Sequence, residues 1–167
     1  RATLPGLPIA VGEPAINPEP RKQIALAVEE AAQSCGYAGP LHIVLSVPEG
    51  RKRAQNTLNP RLGIVGGISI LGTQGTVRPF SHAAWQATIE QGLSVARAVG
   101  LSTVMFSTGR RSERLLFEQY PGLPTAAGIQ AADFAAFSMR LAGSMGFERL
   151  VWGCFPGKLL KLAQGLE

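Results

Sequence analysis

Apolar positions follow two different rhythms along this chain. Ile24, Ala27, Val28 and Ala31 recur three and four apart, which predicts one face of a helix. Asn17 stands where a helix cap belongs, and Pro18 and Pro20 fit a first turn, where no intrahelical N–H is lost. Gly36 supplies a stop. The rhythm then changes. Leu41, Ile43, Leu45 and Val47 alternate with His42, Val44 and Ser46, and period two predicts a strand ahead of Pro48-Glu49-Gly50. A short polar helix is expected over residues 51–58. Residues 59–80, NPRLGIVGGISILGTQGTVRPF, place five glycines among β-branched residues, which predicts strand with bulges or close backbone approaches.

A boundary near Gly75 separates this part from a more regular one. Ser81 is a good N-cap for a helix running to about Val99, with Trp85 and Ile89 in its core face and Gly100 as its stop. A strand follows at residues 103–107, then a helix ending before Pro121. A second helix is expected over residues 129–145 with Gly146 behind it, then a strand at residues 149–152 and a helix from about Lys158. Alternation of helix and strand from residue 81 onward argues for parallel strands joined by crossovers.

Composition narrows the class. With 167 residues, 46% hydrophobic and 16% charged, the chain is long enough to bury a core as one domain or two small ones. No apolar run approaches the ~18 residues a bilayer-spanning helix needs, so no membrane partner is expected. The opening RATLPGLPIAVGEP lacks the sustained apolar region of a secretory signal, and the absence of an initiating methionine points to a piece of a longer polypeptide. Cys35 and Cys154 lie far apart without CxxC spacing, so no metal site or disulfide framework is expected and a reducing cytoplasm is the default. The net charge of +5 attracts anions, but the basic residues are scattered and aromatics make up only 7%, too few to stack bases. A small polycarboxylate or phosphate ligand fits better than nucleic acid.

Two loops offer to hold such a ligand. VMFSTGRRSERLL passes from strand to helix through Thr108, Gly109, Arg110, Arg111 and Ser112, where helix N–H donors and two guanidinium groups suit a carboxylate. Gly109 serves equally well as a tight turn beneath two solvated arginines, with Glu113 favouring the helix start. LVWGCFPGKLLKLA repeats the design with Gly153, Gly157, Lys158 and Lys161, although a solvated helix face accounts for the lysines as readily. It is not a P-loop, because only three residues separate Gly153 from Gly157 and Leu159 stands where Ser or Thr should bind magnesium. GIVGGISILGTQG likewise fails the strand-turn-helix context of a dinucleotide fingerprint. Asp133 suits a ribose hydroxyl or an amine, or simply the start of a helix. His42 and His82 are isolated. Neither a nucleophile-base pair nor an HExxH element is present, so hydrolysis has no support.

VGEPAINPEPR, NPRLGIVGGISILGTQGTVRPFS, STGRRSE and GKLLKLAQG, in this order and spacing, resemble the CbiD family of corrinoid biosynthesis, the cobalt-precorrin-5B methyltransferases acting at ring carbon 1. The resemblance runs through almost the whole chain, with Gln74 where a threonine is common. It implies an α/β protein: a partial α+β domain over residues 1–75, then a small parallel-sheet α/β domain over residues 76–167 with helices on both faces. It also implies transfer of a methyl group from S-adenosylmethionine, as co-substrate, to a macrocycle whose cobalt belongs to the substrate, so no protein metal is needed. The sulfonium is already activated, which suits a chain without an evident catalytic acid or base. On this reading Thr108, Gly109, Ser112, Asp133, Gly153 and Gly157 meet the cofactor, while Arg110, Arg111, Lys158 and Lys161 clamp the acetate and propionate groups of the tetrapyrrole. The alternatives are a non-catalytic corrinoid or tetrapyrrole carrier, a catalytically incomplete piece of the enzyme, and a phosphate-binding module. The family's chains are considerably longer. A homo-oligomer is compatible with all of these.

Overall fold

The computed structural model describes residues 1–72 and 81–165. The expected boundary at Gly75 lies outside the described residues. By its internal contacts the chain divides into two compact units, Arg1–Thr3 with Pro8–Pro79, and Leu4–Leu7 with Phe80–Glu167.

The first unit is thinly built. Helix α1 (Pro18–Ser34) starts at Asn17 as expected, although the Asn17 side chain makes no capping bond, and none of its residues is buried. Gly36 follows at φ +66°, the left-handed turn that ends it. The polar helix α2 is shorter than expected, Gly50–Ala54. Single bridges join Ala2 to Ile64 antiparallel and Ile16 to Ile70 parallel. Among the described residues its buried apolar side chains are three alanines, Ala2, Ala15 and Ala54, and Ile64.

Residues 41–47 correct the sequence reading, since they form no strand. Their alternation is that of a strand, but among the described residues no neighbour offers them a ladder, and a lone strand has no means of satisfying its own backbone groups.

The second unit is an α/β layer structure. Ser81 caps α3 (His82–Ala98) by accepting a hydrogen bond from the Ala84 N–H. Strand β1 (Thr103–Ser107) leads to α4 (Arg110–Gln119); a 3-10 turn (Thr125–Ala127) precedes β2 (Gly128–Gln130); α5 (Ala135–Ser144), β3 (Arg149–Gly153) and α6 (Pro156–Ala163) complete it. The helix expected over residues 129–145 is therefore a strand followed by a shorter helix. β2 has only three residues, too few for a period to declare itself in an alanine-rich stretch.

All three strands are parallel, in the order β2-β1-β3, with Phe106 opposite Ile129 on one side and Trp152 on the other. Period two divides the sheet's faces. Val104, Phe106 and Ile129 pack with Ile89, Leu93 and Ala96 of α3 and Ala142 of α5 in one core. The opposite face meets α4: a Cβ on Gly153 would stand 2.6 Å from the Leu116 side chain, and one on Gly128 2.6 Å from the Phe117 ring. Glycine at both positions lets the helix lie against the strands. Ile89 is fully buried as expected, whereas Trp85, one turn earlier, is 43% exposed, so the apolar stripe of α3 begins later than its spacing suggested. Gly6 belongs to this unit. Its φ is +100°, and a Cβ there would come within 2.6 Å of the Ser94 carbonyl oxygen of α3, so only glycine fits.

Candidate functional site

β1 is the central strand, and its neighbours' carboxyl ends open on the same edge as its own. Ligands of open parallel sheets bind outside that edge, where flanking strands lead their chains apart. Three connections meet there: Thr108-Gly109 after β1, residues 131–134 after β2, and Cys154-Phe155 after β3.

The first and third are neighbours. The Thr108 N–H donates to the Gly153 carbonyl at 3.3 Å, continuing the ladder one residue beyond the strands. The Arg111 guanidinium lies 5.0 Å from the centre of the Phe155 ring, a cation-π contact that spans the two turns. Gly109 is extended, at φ 167°, and caps α4. A Cβ on either Gly109 or Gly157 would meet nothing within 4 Å. Each turn thus leaves room for another molecule to approach its backbone, beside the amide donors that open a helix.

The second connection reaches the third through charge. Lys158, in the first turn of α6, donates to both carboxylate oxygens of Asp133 at 2.5 and 2.7 Å. Their side chains are 38% and 45% exposed, which holds the pair's contribution to about 0–1 kcal/mol. Asp133 does meet an amine, but it is the chain's own. Lys161, one turn further along α6, is exposed.

Ser112 is buried and occupied locally. Its hydroxyl donates to the Gly109 carbonyl at 3.0 Å and lies 3.3 Å from the Thr108 hydroxyl, fixing the turn that carries both arginines. Arg110 and Arg111 are exposed. Two features escaped the sequence reading. Glu113 is only 4% exposed, and its carboxylate accepts from the Gln130 amide at 2.8 Å, tying the start of α4 to the end of β2. Its place in the charged stretch RRSER gave no sign of burial. The Ser107 hydroxyl, at the last residue of β1, is fully buried without a hydrogen-bond partner.

A cavity of about 550 Å³ lies in the first unit, between Ile16, Leu45, Val47, Gly66, Gly67 and Ile70, and none of the expected site residues lines it. Among the described residues no helix is long and apolar enough to cross a membrane.

Similarity to known proteins is extensive. Residues 1–79 match the CbiD family model. The chain is 61% identical over 166 residues to the cobalt-precorrin-5B C(1)-methyltransferase of Nitratidesulfovibrio vulgaris, an alignment covering 99% of this chain and 43% of that protein. Its counterpart from Geobacillus thermodenitrificans is 48% identical, with 99% and 45% covered. A crystal structure of the cobalamin biosynthesis protein CbiD from Archaeoglobus fulgidus is 26% identical, with 96% of this chain and 51% of that one covered, at a TM-score of 0.39. The chain therefore spans less than half the length of the curated relatives it matches.

Proposed function

The chain belongs to the CbiD family, and on that premise we propose that it contributes to methyl transfer from S-adenosylmethionine to ring carbon 1 of a cobalt-precorrin. The observation that carries this is the 61% identity to a methyltransferase over nearly the whole chain. In the reaction the ring carbon attacks the methyl group in line, the carbon-sulfur bond breaks, and its electron pair returns to sulfur. No protein nucleophile or metal is needed. What the chain must do is align the two partners and keep water away.

Within that reaction we assign the carboxyl edge of the parallel sheet to ligand binding. Thr108, Gly109, Gly157 and Asp133 face the donor, Ser112 and Gly153 hold the two turns from behind, and Arg110, Arg111, Lys158 and Lys161 meet the carboxylates that rim the macrocycle. The contact of Arg111 with Phe155 supports this assignment, because it brings cations from one turn beside the other. The ion pair modifies it. Lys158 reaches a substrate carboxylate by exchanging it for Asp133, a small cost at an exposed pair.

Calorimetric titration tests both claims, using this chain and the full-length Nitratidesulfovibrio vulgaris relative. Replacing Arg110 and Arg111 together by alanine is expected to weaken macrocycle binding at least tenfold and to leave S-adenosylmethionine binding within twofold. Absence of heat with either ligand in both proteins would overturn the functional reading. Unchanged macrocycle affinity in the double variant would overturn only the site. A second reading draws on the chain's 43% share of that relative's length: it binds the macrocycle but ignores the donor, as a carrier or an incomplete enzyme would.

A further inference from the structure

We propose that residues 41–47 form a β-strand whose missing neighbour is a strand supplied by the rest of the polypeptide in full-length CbiD proteins. The stretch LHIVLSV contains no charge and sits between Pro40 and Pro48, which bound it as strand-terminating residues do. Among the described residues, no backbone N–H or C=O from residue 41 to residue 46 is hydrogen-bonded. Its side chains are exposed on both faces: Leu41 53%, Ile43 49%, Leu45 47% and Val47 42% on one, and Val44 77% on the other.

A strand edge meant to face water carries a guard such as lysine, an inward charge, proline within the strand, or a bulge. This one carries none. Four apolar side chains on one face, Val44 between His42 and Ser46 on the other, and unpaired backbone between them describe a strand built to pair at its edges and to bury one face. Beside it the fold has begun such a sheet. Leu45 and Val47 line the cavity of about 550 Å³ together with Ile16 and Ile70, which themselves share a single parallel bridge.

The occupant follows from length. More than half of each relative lies outside the aligned stretch, and that material is covalently joined, so it reaches the edge at a far higher effective concentration than a separate molecule would. A second copy of this chain offers the same unguarded edge and is the competing occupant.

Hydrogen exchange read by mass spectrometry separates these outcomes without reference to activity, so the inference stands or falls apart from the methyltransferase reading. The amides corresponding to residues 42–47 are expected to exchange at least 100-fold more slowly in the full-length Nitratidesulfovibrio vulgaris protein than in this chain alone, at every protein concentration. Equally fast exchange in both would overturn the proposal. So would protection that grows with concentration in this chain while a dimer sediments, which would assign the edge to a second copy. In the full-length protein, aspartate at the position aligned with Val44 is expected to cut the protection to under tenfold, and isoleucine there to preserve it. The unsubstituted comparison decides the matter even where the aspartate variant does not fold.

Discussion

The two units bury themselves to very different degrees. The second packs fourteen apolar side chains to below a tenth of their exposure, among them Phe106, Ile89 and Leu93, between a parallel sheet and its helices. The first, among its described residues, buries three alanines and one isoleucine. Each fully buried large side chain contributes about 1.5–3 kcal/mol, and an alanine far less. One unit therefore holds a core that can offset the entropy of its own ordering, and the other does not. What separates them is partners rather than composition, because Leu41, Ile43 and Leu45 are as apolar as anything in the sheet.

That contrast can be broken most forcefully at Phe106. Phe106→Ala is expected to cost the second unit about 3–5 kcal/mol in urea denaturation followed by tryptophan fluorescence, which reports on that unit because Trp85 and Trp152 both lie within it. Ile64→Ala in the first unit should leave the same transition unmoved. An equal shift from both would erase the distinction. Gly153→Ala comes next, at about 1–3 kcal/mol, because the new methyl group meets Leu116. Ser81→Ala, which removes the cap of α3, should lower the same midpoint by about 1 kcal/mol. Asp133→Ala sharpens the picture from the small end: a change within about 1 kcal/mol, shrinking further in added salt, is expected of an exposed ion pair.

The sequence was legible where an element could be recognised from its own residues. β1 stood out because TVMFS is apolar, β-branched at its start and enclosed by Gly100 and a Ser-Thr-Gly turn. α3 announced itself through Ser81 and Gly100. β2 was lost because three residues between alanines carry no period, and the helical spacing beyond them absorbed it. Residues 41–47 have the alternation of a strand, yet pairing is a property of two segments, and a pattern in one cannot report that its neighbour is elsewhere.

The candidate site divides the same way. Both glycine turns could be named from local chemistry. The contact between Asp133 and Lys158 could not, since each was assigned a ligand and a separation of 25 positions hides that they share an edge. The burial of Glu113 was equally invisible, since the Gln130 amide that its carboxylate accepts from lies on another element.

Gly6 adds an order of events. A ribosome delivers Leu4–Leu7 long before it delivers Ser94 and Val95, so this tetrapeptide emerges with no seat to occupy and waits until α3 has been made. Completion of the second unit during synthesis thus reaches back past the whole of Pro8–Pro79 to residues made before it.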